Sequence, residues 1–261
     1  ALILIALAMG LGAAFGIKRA HSVEMTGLPQ LIALFNGLVG LGAIFIGYNS
    51  FVTASAEHMT TGEYRFHLGE VFIGVFIGAV TFTGSVLAGM KLSGKVKGAP
   101  LLLPARNQLN VLVLLLSLVL LIGFIAFGDG SFAWIALGIM TALALFLGWH
   151  LVAAIGGGDM PVVVSIMNSY SGWAAAFTGL MLGNQLLIIT GALVGSSGAF
   201  LSYVMCQAMN RSFLNVLLGG FGTDGGAVAE GVDGTHTEIT PDEAIACLLY
   251  TSPSPRDGLL S

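Results

Sequence analysis

HLGEVFIGVFIGAVTFTGSVLAGM, residues 67–90, opens on two ionisable side chains and then runs without a charge to Met90. A bilayer core of about 30 Å is crossed by about 20 helical residues. The run is long enough for that and shows none of the strict alternation of a half-buried strand. It therefore reads as a spanning helix. Six further runs have the same character: 1–17, 31–52, 109–127, 132–155, 161–182 and 185–209. Glycine recurs within them, as it does in membrane helices generally. The expected fold is all-α, a polytopic transmembrane bundle of about seven spanning helices. The first run is short and reads as the middle of a hydrophobic segment, so the chain is expected to begin inside one. It lacks the charged n-region of a signal peptide.

Composition agrees. Hydrophobic residues make up 56% of the 261, charged ones 8%, and mean hydropathy is +0.94. A soluble domain has about 25% charged residues, so the surface here needs a lipid bilayer to cover it. The net charge is −4 and the acids collect toward the C-terminus. That balance excludes nucleic acid as a partner. Two cysteines, Cys206 and Cys247, make neither a disulfide framework nor a metal cluster.

Basic residues orient the bundle. If the runs alternate sides, Lys18, Arg19, Lys91, Lys95, Lys97, Arg106 and Arg211 share one side, and Arg65 lies on the other. Loops rich in Lys and Arg stay cytoplasmic, so the C-terminal tail is expected in the cytoplasm of a cell whose inner (plasma) membrane holds the chain. Gly12–Gly16, Gly74–Gly78 and Gly191–Gly195, the last extended by Ala199, are GxxxG pairs and point to close helix packing. Residues 1–213 are read as the membrane domain and 214–246 as a linker. Within that linker Thr240, Pro241 and Glu243 form the signature of a capped helix start. CLLYTSPSPRD, from Cys247, breaks the pattern and resembles a translated sequencing adapter, so residues 247–261 are expected to be a foreign tail.

A few polar residues carry the chemistry. His67 and Glu70 are three apart and share a helix face. His exchanges a proton near neutral pH, and ionisable groups in membrane segments mark ion or substrate paths. The competing reading puts both at the membrane interface beside Arg65. Asn168, followed by Ser169, Tyr170 and Ser171, needs internal partners or water, either to line a path or to pack helices. His150, after Trp149, reads as interfacial. The loop from Gly156 to Pro161 carries one acid, Asp159, and either gates, docks a partner or simply turns. Ser196 and Ser197 interrupt the last run and either bond back to their own helix or line water. Gly220 to Gly225 fits GxGxxG, but no strand precedes it, so it reads as a glycine-rich hinge and not a nucleotide site.

Longer strings carry a resemblance. EVFIGVFIGAVTFTGSV (70–86), GWHLVAAIGGGDMPVVVSIMNSYSGWAAA (148–176), ITGALVGSSGAFLSYVMCQAMNRSF (189–213) and GGFGTDG (219–225) resemble the beta subunit of the proton-translocating NAD(P) transhydrogenases. The resemblance implies an enzyme, an oxidoreductase and translocase that couples hydride transfer between NADH and NADP⁺ to proton movement across the membrane. It implies an alpha subunit that binds NAD(H), a dimer of the complete enzyme, and an NADP(H)-binding domain of the same subunit beginning just past Asp242. NADP(H) and NAD(H) would both bind outside the residues present, leaving this chain alone incompetent for hydride transfer.

Residue by residue, the resemblance makes His67 the proton-path histidine, Asn168 its asparagine partner and Asp159 the acid beside the NADP(H) domain. It makes Gly195, Ser196, Ser197, Gly198 and Arg211 coupling residues. A proton from the outer face would protonate His67, with Asn168 and water completing the path. From the residues alone, an unrelated multi-pass transporter or channel and a passive anchor both remain open.

Overall fold

The computed structural model describes residues 2–54, 59–101, 106–128, 130–210, 212–213, 216, 240, 243 and 245. Seven long helices account for most of them: α1 (Leu2–Ser22), α2 (Leu28–Thr53), α3 (Thr61–Leu92), α4 (Arg106–Ala126), α5 (Ser131–Ala153), α6 (Met160–Met181) and α7 (Gln185–Ala208). Single 3₁₀ turns precede α2 and α6. There is no strand among the described residues. The chain divides into two units, Ala1–Gly222 and Thr223–Ser261.

The helix starts follow local chemistry. Thr60 caps α3: its Oγ1 accepts from the Glu63 amide at 3.3 Å, while the Glu63 carboxylate accepts from the Thr60 amide at 2.9 Å. Both orphan donors of the first turn are thereby satisfied. Asn184 caps α7 through its Oδ1, which accepts from the Leu187 amide at 3.2 Å. Gly183, at φ +62°, supplies the left-handed turn just before it. In the second unit the expected box forms too: the Thr240 amide donates to Glu243 at 2.8 Å and the Glu243 amide to Thr240 Oγ1 at 3.4 Å.

Six of the seven helices are long and apolar enough to cross a membrane; α6 is the exception. Its polar NSYS stretch lowers its hydropathy, and its position explains why that is tolerated. It packs against α2, α3 and α7, and most of its side chains are buried. Helix α1 is the opposite case, with no buried residue. Neighbouring helices run antiparallel. Gln30 at the start of α2 donates to the Leu92 carbonyl at the end of α3 (3.1 Å). Tyr64 at the start of α3 donates to the Gly128 carbonyl beyond α4 (3.4 Å). Arg19, Lys91 and Lys95 thus sit at one end of the bundle, and Arg65 at the other, as alternation of the runs requires.

Glycines set the closest contacts. Gly40 on α2 and Gly78 on α3 face each other, and a β-carbon on either would lie within 2.8 Å of the partner's carbonyl oxygen. Gly172 on α6 meets Gly195 on α7, and Gly191 meets Ala176, with no room for a β-carbon at Gly172 or Gly191 and a tight 3.0 Å approach to the Trp173 ring for one at Gly195. Two of the three GxxxG pairs therefore pack as expected. Gly12 and Gly16 on α1 face nothing within 4 Å.

Candidate functional site

The seam between α6 and α7 sorts the glycine–serine stretch into two kinds of residue. Gly195 and Gly198 are buried and face α6, where their carbonyls accept hydrogen bonds from Ser169 (2.6 Å) and Ser165 (3.4 Å). Ser202, one turn on, donates to Gly198 and Ser165. Ser196 and Ser197 point away, are exposed, and bond back to Ala192 and Val194 of their own helix. The two serines follow the back-bonding alternative.

At the depth of this seam a line of polar side chains crosses the bundle. Asn168 is half-buried in the middle of α6. Its main-chain carbonyl accepts from Ser171 Oγ at 2.7 Å, and the same hydroxyl reaches Asn36 Oδ1 on α2 at 3.3 Å, so it is the Asn168 turn, through its backbone, that joins the line. Asn36 is 7% exposed, and its amide nitrogen has no protein partner among the described residues. The adjacent Gly37 lies against Ser85 of α3, which is fully buried and whose hydroxyl likewise lacks a protein partner there. Buried polar groups of this kind are costly unless paired with water or each other. Ser85 also lines a groove of about 760 Å³ that Arg19, Glu24, Gln30, Ser93 and Lys95 border on the basic end. The groove thus reaches from the basic end to the level of Ser85, whose side chain stays covered.

His67 lies elsewhere. Its Nδ1 is 3.5 Å from Glu70 Oε2 and its Nε2 is 3.1 Å from Ser50 Oγ on α2. Both ionisable side chains are about nine-tenths covered, so neither reaches freely into solvent as a snorkelling side chain does. Gly84 of α3 packs on Met167, the neighbour of Asn168. The 17 residues from His67 to Gly84 measure about 25 Å along the helix. The structure thus does not bring His67 and Asn168 together: one sits near the start of α3, the other at the level of Ser85.

The Asp159 loop is short and braced. The Gly157 amide donates to the Gly98 carbonyl (2.8 Å) and the Leu101 amide to the Ala153 carbonyl (2.9 Å), joining the α5–α6 loop to the α3–α4 loop. Asp159 ends the 3₁₀ turn Gly157–Asp159 and lies within electrostatic reach of Cys206 on α7. Arg211 and the glycine-rich segment 220–225 lie outside the described residues, so nothing is placed for either.

Three residues carry more than the sequence suggested. Asn36 is one hydrogen bond from the Asn168 turn. The rule that singled out Asn168, a lone amide in an apolar run, applied equally to it. Lys91 is buried and not a free interfacial charge. His150 is 1% exposed, with Nδ1 2.7 Å from Asn110 Oδ1 of α4. It stands in the last turn of α5, as the sequence placed it, but its ring is turned into the bundle, where a partner forty residues earlier holds Nδ1.

A cavity of about 550 Å³ between α3, α4, α5 and α6 is walled by Phe76, Ile77, Val80, Leu114, Leu147 and Trp173. Its polar lining is confined to Asn110 and Tyr170. A dinucleotide carries a pyrophosphate that needs cationic or backbone N–H donors. These walls do not fit it.

A family model described as NAD(P) transhydrogenase beta subunit matches residues 1–253. Two curated relatives, both named NAD(P) transhydrogenase subunit beta, come from Rhodospirillum rubrum and from a defined strain of that species. Each is 48% identical over 230 residues, covering 87% of this chain and 48% of the relative. The chain spans about half the length of the curated relatives it matches.

Proposed function

Because the chain belongs to the NAD(P) transhydrogenase beta subunit family, we propose that it is the part of that subunit that conducts protons across the membrane, coupled to hydride transfer between NADH and NADP⁺. The nicotinamide cofactors supply the hydride chemistry from outside these residues, NADP(H) on a further domain of the same subunit and NAD(H) on the alpha subunit. Two such complexes pair in a dimer in the inner (plasma) membrane, with the C-terminal tail in the cytoplasm. Residues 1–213 form the conducting domain, 214–246 lead to the NADP(H) domain, and 247–261 are a foreign tail.

The observation that supports this reading best is the buried polar line from the Asn168 turn through Ser171 and Asn36 to Ser85. It lies inside an otherwise apolar bundle and ends at Ser85, against the floor of the basic-end groove. His67, with Glu70 and Ser50, takes a proton at the opposite end. The roughly 25 Å along α3 between the two stations is bridged by water. The charge at His67 favours one packing of the helix ends, and Asp159, Gly195, Ser196, Ser197, Gly198 and Arg211 pass that packing to the NADP(H) domain. Such coupling requires that each ligand, proton or nucleotide, distinguish the two packings, and it is reciprocal.

The test uses the intact subunit assembled with its alpha partner in sealed vesicles. Asn168→Leu, Asn36→Leu and His67→Ala are each expected to abolish the stimulation of hydride transfer by an imposed proton gradient, at normal membrane content. Full stimulation in the Asn168 and Asn36 variants refutes the polar line as the path. Full stimulation in the His67 variant removes that residue from it.

A further inference from the structure

Lys91 occupies the last turn of α3, yet its side chain leaves solvent and ends beneath α5. Its ammonium donates to three carbonyls: Val152 at 3.0 Å, Ala153 at 2.8 Å and Ile155 at 2.8 Å. A lysine has three N–H donors and no acceptor, so this geometry uses all of them. Val152 and Ala153 belong to the last turn of α5 and Ile155 lies two residues past it, at the end where carbonyls run out of intrahelical donors and the macrodipole favours a cation. Lys91 is 8% exposed, and among the described residues its partners are carbonyls and not carboxylates. A lone cation at that depth is costly unless its place is well prepared.

What it holds is the root of the Asp159 loop. Ala153, one of its acceptors, also receives the Leu101 amide, and Gly157, two residues after the acceptor Ile155, is tied to Gly98. The two loops at the basic end are thus one stitched patch with Lys91 at its centre. The same helix carries Ser85 of the polar line, six residues or about 9 Å earlier.

We propose that Lys91 is a positioning residue for coupling: through three carbonyls at the end of α5 it makes the placement of the Asp159 loop follow the placement of α3. This rests on the proton-coupled reading above. A displacement of α3 at Ser85 reaches Asp159 through the ammonium, and the loop in turn resists displacement of α3. Arginine presents a planar fork in place of three converging donors, so Lys91→Arg keeps the charge and only part of the geometry. Lys91→Met keeps the stem and removes both.

The experiment is a double-mutant cycle in the intact enzyme, with the alpha subunit, in sealed vesicles. Gradient-stimulated and uncoupled hydride transfer are measured for wild type, Lys91→Met, Lys91→Arg, Asp159→Asn and Lys91→Met/Asp159→Asn. Lys91→Met is expected to lower stimulation about tenfold with uncoupled turnover and membrane content retained, and Lys91→Arg to restore part of it. In the Asp159→Asn background the further loss from Lys91→Met should vanish, because residues acting through one element are not additive. Wild-type stimulation in Lys91→Met overturns the proposal, as do losses that simply multiply in the double variant. If Lys91→Met does not accumulate, Lys91→Gln takes its place. Failure of both to accumulate makes the lysine a folding requirement and overturns the proposal too. Loss of stimulation in the wild type itself would instead strike the proton-coupled reading.

Discussion

Gly40→Ala tests the α2–α3 packing that sets Gly37, the neighbour of Asn36, against Ser85. The new β-carbon would lie 2.6 Å from the Gly78 carbonyl oxygen and 2.9 Å from the Phe82 amide nitrogen. Both are backbone atoms and cannot rotate away. Ordinary contact begins at 3.4 Å, so α2 and α3 must part locally by about 0.8 Å or bend, and overpacking of this kind costs about 1–3 kcal/mol. For a chain of this size that is roughly 2–12 °C in Tm. Gly78→Ala meets the Gly40 carbonyl at 2.8 Å and Ala43 at 3.1 Å, and should cost a similar amount. Since the same separation relieves both clashes, the double variant should lose less than the sum of the singles. Thermal unfolding of the purified protein in detergent reads all three. Gly10→Ala on α1 is the control: nothing lies within 4 Å of its β-carbon, and better helix propensity makes it neutral or up to about 1 kcal/mol favourable. A Gly40→Ala protein that melts with the wild type, or a strictly additive pair, would refute the glycine-mediated contact.

Further outcomes follow from other sites. On α7, Gly198→Ala places a β-carbon 2.9 Å from the backbone of Ser169 and should destabilise the bundle. The neighbouring Ser196→Ala, on the exposed side, should stay within about 0.5 kcal/mol, and the two melting curves separate the readings. Hydrogen exchange at the Leu101 and Gly157 amides should quicken in Lys91→Met, because the patch those amides close has lost its central cation; unchanged protection would count against the stitching. Hydrogen bonds from Thr240 hold the Glu243 carboxyl below the usual carboxylate range. A carboxylate depressed in the folded form stabilises that form above the unfolded pKa. That support is lost as pH falls through the lowered folded value. Protection of the Thr240 and Glu243 amides relative to intrinsic exchange at the same pH, followed downward from neutrality, should therefore fall only in the acid range, and unchanged protection there would contradict the box.

Much of the fold was legible because helix length and apolar runs are local properties. The runs 31–52 and 161–182 fall within a few residues of α2 and α6, and the capping box at Thr240 lies in four consecutive residues; the equally local box at Thr60 goes unread because polar residues separate it from the apolar run. What the runs do not contain is depth. Length and composition rank α6 as less apolar than the other long helices, yet it sits among α2, α3 and α7 while the more apolar α1 buries nothing. Partnership across the bundle was equally hidden. Asn36 meets Ser171 from 135 residues away, Lys91 meets Ile155 from 64, and His150 meets Asn110 from 40. His67 and Asn168 shared a chemical type, and only the packing of Gly84 on Met167 shows that they occupy different levels.

The length of α3 has a mechanical consequence. At 32 residues it spans about 48 Å, more than the hydrocarbon core, and it is one unbroken stiff rod from the His67–Glu70 pair to the Lys91 ammonium, a separation of about 36 Å. Stiff rods turn small angles into large arcs. A tilt of about 2° pivoting at the His67 end sweeps the Lys91 end through about 1.3 Å, enough to take a hydrogen bond of ordinary length out of range. Leverage of that kind would carry a sub-ångström rearrangement beside His67 to the far end of the bundle as a broken or remade set of bonds, with no relay of side chains in between.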